Sequence, residues 1–130
     1  MEEPKWIPKS LVLALHAETL RQFGGTSGVR DQGLLESALS RPRNRHFYGD
    51  APTLFELAAA YCSGIVRNHP FVDGNKRTGL LAARAFLFRN GYRLHPDESE
   101  MVEIIEDVAA GDVSESELTD WIESNAGLRS

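Results

Sequence analysis

Two apolar segments on either side of a short polar loop limit what this chain can fold into. The first carries a continuous stripe of residues at helical spacing, Leu54, Leu57, Ala58, Tyr61, Cys62 and Ile65. In the second, residues 79–88 are apolar nearly all round apart from Arg84, and a helix of that kind is usually central and buried. We therefore expect two central helices, at about 53–67 and 75–89, packed as a hairpin with the loop in their connection.

Capping signals place further helices around this hairpin. The segments Thr53-Leu-Phe-Glu56, Asp97-Glu-Ser-Glu100 and Ser114-Glu-Ser-Glu117 match the capping box, in which the first and fourth residues satisfy each other's free backbone N–H groups. The first opens the earlier of the two central helices. The other two predict helices of about 98–110 and 115–125.

Two simpler N-cap signals predict the helices of the N-terminal third. Ser10 is expected to cap a helix that runs to about Phe23. Asp31 is expected to cap a shorter helix that ends near Pro42, because proline interrupts the hydrogen bonding of a helix.

The rest of the sequence contains little that is typical of a sheet. Residues 43–52 lack a helical period, which predicts a mobile loop or a short hairpin, and only Arg45 to Gly49 within them alternates at all like a strand. The fold class is therefore expected to be all-α. A length of 130 residues suits a single domain over 1–130 with one core.

Composition and cysteine usage argue against several classes of protein. No apolar run approaches the ~18–20 residues needed to cross a bilayer, and Met1 to Trp6 is acidic and lacks the apolar stretch of a signal peptide. The single cysteine, Cys62, lies in an apolar helical context, where we expect it to be a buried packing residue. A cytoplasmic protein without a membrane partner is the simplest interpretation.

The net charge of −5 is spread unevenly along the chain. Residues 1–96 hold 13 Lys and Arg against 8 Asp and Glu, a balance of +5, whereas residues 97–130 hold one Arg against 11 acidic residues, a balance of −10. The basic part contains the polar loop, which suits an anionic ligand such as polyphosphate. The acidic part is equally typical of the solvated face of C-terminal helices. Direct nucleic-acid binding is not expected, because no basic stripe is interleaved with aromatic residues.

The polar loop, His69-Pro-Phe-Val-Asp-Gly-Asn-Lys-Arg-Thr78, combines the groups that phosphoryl or nucleotidyl transfer needs. Lys76 and Arg77 stand at a predicted helix N-terminus, where free N–H groups and the helix dipole attract anions. Gly74 lacks the Cβ that would block the close approach of a ligand. Asp73 is a candidate Mg²⁺ ligand, and His69 is a candidate base for a hydroxyl that attacks phosphate.

Each of these residues, taken singly, has an ordinary structural explanation. A histidine before proline is more often structural, an aspartate before Gly-Asn is usually a turn residue, and Lys76 with Arg77 is also what a solvated helix face carries. In this order, between two helices, they favour an active site. A non-catalytic helical interaction module whose loop no longer turns over stays open as an alternative.

The decamer resembles the signature of the Fic/Doc superfamily. At Lys76 the decamer resembles the death-on-curing (Doc) branch of the superfamily. Fic proteins proper have Gly at that position and a second Arg where this chain has Leu80. The resemblance covers about Trp6 to Leu94 and implies a compact helical bundle with a short flap at residues 44–52. The other segments that resemble Doc-type toxins include His16, Phe23-Gly-Gly25, Gly28-Val-Arg-Asp31, Leu34-Leu-Glu-Ser-Ala38 and Phe86-Leu-Phe-Arg-Asn-Gly91.

The resemblance also implies a role for each residue of the site. His69 would be the general base and Asp73 would hold Mg²⁺, with Lys76 as the third catalytic residue. Gly74 and Asn75, with the backbone amides that follow, would form the anion hole. Lys76 and Arg77 would also bind the phosphates of the nucleotide, together with Arg67, which matches a basic residue of Doc proteins.

The function that the resemblance implies is that of a toxin of a toxin–antitoxin system. Doc-type enzymes with a Lys at the position of Lys76 use ATP and Mg²⁺ to transfer the γ-phosphate to a Ser or Thr hydroxyl of the translation factor EF-Tu, which arrests growth. A small antitoxin masks the groove of the toxin. Fic enzymes with Gly at that position transfer AMP instead, and AMP transfer stays open as an alternative.

Overall fold

The computed structural model describes residues 3–129, and helices dominate it. In chain order the elements are α1 (Lys9–Phe23), α2 (Gln32–Tyr48), α3 (Leu54–Asn68), α4 (Asn75–Arg89), β1 (Tyr92–Leu94), α5 (Glu98–Ala110), α6 (Glu115–Ser124) and β2 (Ala126–Leu128). The predicted all-α fold class is confirmed, with one short antiparallel strand pair added to it.

Helices α3 and α4 form the predicted hairpin and lie at the centre of the molecule. Residues 57–66 of α3 are all buried, because α2, α4 and α6 pack against that helix. In α4 the buried side chains of Leu80, Phe86 and Leu87 join the same hydrophobic core. The loop between the two helices is therefore held at both ends by the best-packed elements of the chain.

Glycines allow the central helices to approach their neighbours closely. A Cβ on Gly79 of α4 would lie 2.8 Å from Cγ2 of Val66 and 3.0 Å from the carbonyl oxygen of Cys62, both on α3. A Cβ on Gly64 of α3 would lie 3.4 Å from Cα and Cβ of Ala38 on α2. The backbones themselves are thus in contact at these crossings.

Cys62 is a packing residue, as its sequence context predicted. Its side chain is fully buried, and burial raises the pKa of the thiol to about 12. The thiol is therefore protonated at neutral pH and is not a nucleophile.

The capping signals were only partly correct. Thr53 with Glu56 and Ser114 with Glu117 form complete capping boxes at α3 and α6. Asp97 precedes α5 as predicted, but its side chain accepts no capping hydrogen bond. The cap predicted at Ser10 is wrong, because α1 begins one residue earlier, at Lys9, and is preceded by Pro8.

The predicted end of α2 near Pro42 is wrong, and with it the loop predicted at 43–52 and the strand considered for Arg45 to Gly49. Asp31 caps the helix as expected, its side chain accepting the N–H of Leu34, but α2 continues through the buried Pro42 to Tyr48. Tertiary ion pairs stabilise the added turns, since Arg45 contacts Glu56 of α3 at 2.8 Å and Glu115 of α6 at 3.1 Å. The flap predicted at 44–52 is thus half helical.

The strand pair was missed because each strand has three residues, too few to show an alternating pattern. Tyr92 lies opposite Leu128, and Leu94 lies opposite Ala126. Leu94 is fully buried against the core. The pair thereby ties the end of α4 to the C-terminal part of the described chain.

Within residues 3–129, every helix is too short or too polar to cross a lipid bilayer.

The contact of α4 with α3 predicts that Gly79→Ala destabilises the protein. Alanine has the higher helix propensity by about 1 kcal/mol, but its Cβ would collide with Val66 and the α3 backbone. We expect the overlap to prevail, with the free energy of unfolding lowered by about 1–2 kcal/mol. Urea unfolding followed by circular dichroism measures it.

Gly127→Ala is the matched control, because a Cβ at Gly127 meets no atom within 4 Å. A Gly79→Ala variant as stable as the Gly127→Ala variant would show that the two central helices are not in backbone contact.

Candidate active site

The loop from His69 to Gly74 is closed by the side chain of Asn75. Its Oδ1 accepts the backbone N–H of Phe71 at 2.9 Å, and its Nδ2 donates to the carbonyl of the same residue at 2.9 Å. Asn75 is buried and Phe71 is fully buried. The side-chain amide therefore satisfies the N–H and the carbonyl of Phe71 as a neighbouring strand would, and the two hydrogen bonds hold the loop in one conformation.

The candidate base, His69, lies at the end of α3 in a strained conformation. Its φ of 53° and ψ of 53° are left-handed, which few residues with a Cβ adopt. Three contacts hold it there. Its N–H donates to the carbonyl of Ile65 at 3.1 Å, its own carbonyl accepts Nε of Arg30 at 2.7 Å, and the carbonyl of Asn68 accepts Arg30 as well, at 3.0 Å.

A second segment pairs with the loop along its length. Val29 forms an isolated antiparallel bridge with Phe71, and the N–H of Val72 donates to the carbonyl of Gly28 at 3.1 Å. The carbonyl of Pro70 accepts the N–H of Arg30 at 2.7 Å. Residues 28–31 therefore act as a backbone template that fixes the position of His69 from outside the two central helices.

Helix α1 supports the loop from the other side through His16. The imidazole of this residue stacks on the ring of Phe71, with centroids 3.8 Å apart and planes within 10°. Its Nε2 lies 2.8 Å from the carbonyl oxygen of Asp73. A carbonyl only accepts, so Nε2 carries the proton in this contact.

Gly74 is required for a different reason from the one that the sequence suggested. Its φ of 82° is left-handed, and an added Cβ would meet His16, Thr19 and Leu20 of α1 at 3.4 Å each. The missing Cβ therefore makes room for α1. Gly74 also lines the cleft described below, and the close approach of a ligand to it stays a prediction.

An open cleft of about 380 Å³ lies between α1, α5 and the start of α4. It brings together most of the predicted site: His69, Asp73, Gly74, Asn75, Lys76 and Arg77 all line it. Leu80, at the position where Fic proteins carry a second Arg, lines it as well. The other walls come from Phe23 and Gly24 at the end of α1 and from Met101, Val102, Ile105 and Glu106 of α5.

The two cations of the cleft are engaged within the chain. Nζ of Lys76 lies 3.0 Å from both carboxylate oxygens of Glu106. The guanidinium of Arg77 lies 3.7 Å over the ring of Phe23, and its NH1 is 3.9 Å from Glu98. Both carboxylates belong to α5, and all four charged side chains are partly exposed. Since an anion in the cleft can reach these cations, it would compete with the two carboxylates for them.

Asp73 could hold a metal ion only if a ligand supplied further donor atoms. One carboxylate oxygen, Oδ2, accepts the N–H of Thr26 at 2.7 Å, and no described protein group donates to Oδ1. No cluster of three or more His, Cys, Asp or Glu side chains suited to a metal occurs within residues 3–129. A single carboxylate fits Mg²⁺, which takes one or two carboxylates and fills its other positions with phosphate oxygens and water.

Arg67, which the resemblance placed in the site, and Arg84 both lie outside the cleft. The guanidinium of Arg67 donates to the carbonyl of Val113 at 3.2 Å, at the turn between α5 and α6. Arg84, one turn beyond Leu80, lines a separate recess with Phe88 and Arg93. The structure does not bring either cation to Lys76 and Arg77.

Known proteins are similar to this chain over most of its length. Residues 6–87 match the model of the Fic/DOC family. The chain belongs to the Fic/DOC family. It is 36% identical over 115 residues to "Protein kinase doc" of Escherichia phage P1, covering 88% of this chain and 90% of that protein. It is 49% identical over 76 residues to "Toxin Doc" of Mycolicibacterium smegmatis, covering 58% of each chain.

The residues of the Fic/DOC site that sequence reasoning missed all act through tertiary contacts. His16 and Arg30 lie in segments that resemble Doc-type toxins, but nothing local indicates that one supports Asp73 and the other holds His69. Glu98 and Glu106 lie beyond residue 87, outside the stretch that matches the family model. Their signal is the acidic balance after residue 97, which was equally compatible with a solvated face.

The loop geometry predicts that Asn75→Asp destabilises the protein strongly. The substitution replaces the Nδ2 donor by an oxygen that faces the carbonyl of Phe71 in a buried position. We expect the free energy of unfolding to fall by about 2–3 kcal/mol, as for other buried polar groups left without a partner. Chemical denaturation measures it.

Asn44→Asp serves as the control, since Asn44 is an exposed residue of α2. We expect that substitution to change the stability by less than about 0.5 kcal/mol. Equal effects at the two asparagines would contradict the structural role of the Asn75 amide.

Proposed function

We propose that this Fic/DOC protein is a toxin-type kinase that transfers the γ-phosphate of ATP to a Ser or Thr hydroxyl of a translation factor resembling EF-Tu. One observation carries the proposal: Lys76 and Arg77, at the N-terminus of α4, line the same cleft as His69 and Asp73. A base, a carboxylate and two cations at a helix start are the groups that phosphoryl transfer uses.

The phosphates would lie at the start of α4. The free N–H groups of its first turn carry partial positive charge, and Lys76 and Arg77 add full charges beside them. Asp73 would hold Mg²⁺ through Oδ1, and such an ion would supply positive charge that offsets the charge of the phosphates. Thr26 keeps the carboxylate oriented by its hydrogen bond to Oδ2.

His69 would act as the general base. As the substrate oxygen attacks the γ-phosphorus, the imidazole accepts the hydroxyl proton, a new P–O bond forms, and the bond from the γ-phosphorus to the β–γ bridging oxygen breaks. ADP leaves with that oxygen. The strained but well-held backbone of His69 fixes where its side chain enters the cleft, and a positioned base is what proton transfer requires.

Phosphate transfer is favoured over AMP transfer by two residues of the cleft. Lys76 stands where Fic proteins proper have Gly, so its side chain occupies space that the α- and β-phosphates would otherwise cross. Leu80 stands in the position of their second Arg and offers no charge to a phosphate deeper in the cleft. The name "Protein kinase doc", printed for the phage P1 relative, supports the same choice.

A toxin of this kind would be controlled by a cognate antitoxin that masks the groove. The rim of the cleft fits that role, since Phe23 is 55% exposed and Val102 is 45% exposed on its two sides. These apolar side chains would be covered by an apolar face of the partner, with the cations shielded beneath. The name "Toxin Doc" of the Mycolicibacterium relative supports this assignment.

The proposal predicts that label moves from γ-labelled ATP to a protein in a bacterial lysate. Wild-type protein with Mg²⁺ should transfer label from γ-labelled ATP and none from α-labelled ATP. His69→Ala should lower the rate by about 10²–10⁴-fold, the usual contribution of a general base. Autoradiography of the separated lysate measures both.

His95→Ala is the matched control, because His95 is an exposed histidine outside the cleft. It should retain the wild-type rate. Label retained only from α-labelled ATP would replace the kinase by an AMP transferase, and full activity of the His69→Ala variant would remove that residue from the mechanism.

The pair of Lys76 with Glu106 predicts that Glu106→Gln binds Mg-ATP more tightly. In the wild-type protein, a phosphate must displace the Glu106 carboxylate from Lys76. An exposed ion pair of this kind is worth about 0.5–1 kcal/mol. Without it, the dissociation constant for Mg-ATP should fall by about two- to fivefold. Isothermal titration calorimetry measures it.

Glu103→Gln removes the same charge from an exposed position of α5 outside the cleft. If both variants tighten binding equally, only the general charge of α5 matters and the specific competition at Lys76 is refuted.

A further inference from the structure

Three arginines gather around one exposed phenylalanine at the far end of α4. The guanidinium carbon of Arg129 lies 4.6 Å from the centroid of the Phe88 ring, and that of Arg93 lies 5.9 Å from it. Arg84, one helical turn before Phe88, lines a recess of about 250 Å³ with Phe88, Arg93 and Leu94. We call these residues, Arg84, Phe88, Arg93 and Arg129, the arginine surface.

Within residues 3–129, the arginine surface holds no carboxylate that balances its charge. Among the described residues, no Asp or Glu lies within ion-pair distance of any of its three guanidinium groups, and none lines the recess. Six other cations of the described chain are in ion pairs, namely Lys9, Arg21, Arg41, Arg45, Lys76 and Arg77. Further cations outside such pairs occur elsewhere, so the arginine surface is distinguished by the grouping of its arginines at Phe88. In a chain with a net charge of −5, unbalanced cations at one place attract an external anionic group.

This surface is separate from the cleft of the candidate active site. The cleft lies at the N-terminus of α4, at Asn75, whereas Phe88 lies near the C-terminus of the same helix. Phe88 is thirteen positions after Asn75 in this helix, which corresponds to about 20 Å at 1.5 Å per residue. A ligand at the arginine surface therefore does not touch His69 or Lys76.

Apolar area and a strand edge lie beside these charges. Phe88 is 45% exposed, and Leu128 of β2 is 80% exposed. The sheet of the described residues has two strands, so β2 is paired with β1 on one side only. An extended peptide can add to the free side of such a strand through backbone hydrogen bonds.

We propose that the arginine surface is the docking site for an acidic, extended segment of a partner protein. Carboxylates of the segment would pair with Arg84, Arg93 and Arg129, which hold them in the fork geometry that arginine provides. Apolar side chains between the carboxylates would lie over Phe88 and Leu128. This function lies outside the proposed phosphate transfer and does not depend on it.

A peptide fits this surface better than a nucleic acid does. Nucleic-acid binding rests on a track of cations along many phosphates. Here Arg84 and Arg93 line a recess of about 250 Å³ and Arg129 lies over Phe88 beside it, which makes a compact site. The chain also carries a net negative charge, which repels a long polyanion more than a short acidic segment.

The test uses a short fluorescein-labelled peptide in which glutamate alternates with leucine and tyrosine, measured by fluorescence anisotropy at low salt. The full protein should bind it. The double variant Arg93→Gln/Arg129→Gln should bind at least about tenfold more weakly, because it loses two charge-assisted contacts. Lys9→Gln/Arg21→Gln removes the same charge from α1 and should bind like the wild type.

Three outcomes would overturn the proposal. The first is equal weakening by the two double variants, which means general attraction between charges. The second is equally tight binding of the same peptide with glutamine in place of glutamate. The third is tighter binding of an oligothymidylate of the same charge that is lost in the Arg93→Gln/Arg129→Gln variant, which would assign the surface to nucleic acid. Circular dichroism of each variant confirms that it is folded.

Discussion

The two hydrogen bonds between the Asn75 amide and the backbone of Phe71 are the constraint on which the rest of the site depends. They turn the chain between the two central helices so that Phe71 is fully buried and His69 and Asp73 are exposed at the rim of the cleft. Without them the described loop would have no hydrogen bond between its own residues to hold its conformation. A buried amide suits this task because it donates and accepts at once, in a place that water cannot reach.

The loop is rigid because elements distant in sequence hold both of its faces. His16 of α1 stacks on Phe71 and bonds the carbonyl of Asp73, while Arg30 donates to the last carbonyls of α3. A cation at a helix C-terminus is stabilising, and the same reasoning makes the start of α4 attractive to anions. The loop thus joins the negative end of one helix dipole to the positive end of another.

Charge is distributed along α4 in two different ways. At its N-terminus the cations are balanced by α5, since Glu106 contacts Lys76 and Glu98 lies beside Arg77. At its far end Arg84 and Arg93 face no carboxylate among the described residues. An anion must compete for the first pair of cations but not for the second. This difference is why a phosphate chain, which would displace carboxylates, is proposed for the first end, and a segment that brings its own carboxylates is proposed for the second.

Local signals account for what could be predicted. The bounds of α4 and the capping boxes of α3 and α6 follow from patterns within a few residues, and the decamer carries its chemistry in consecutive positions. The continuation of α2 through Pro42 could not be predicted, because the partners of Arg45, Glu56 and Glu115, are 11 and 70 positions away. The three-residue strands are too short to leave a pattern.

The sequence by itself therefore determined the central helices, the all-α class and the set of reactive groups, since each depends on residues near one another in the chain. Only the tertiary structure decided how those groups are used. It assigned the Asn75 amide to closing the loop, made Gly74 a contact with α1, set Arg67 apart from the cleft and paired Lys76 with Glu106. The physical reason is that each of these outcomes rests on a contact whose partner lies on another part of the fold or is not marked by any local pattern.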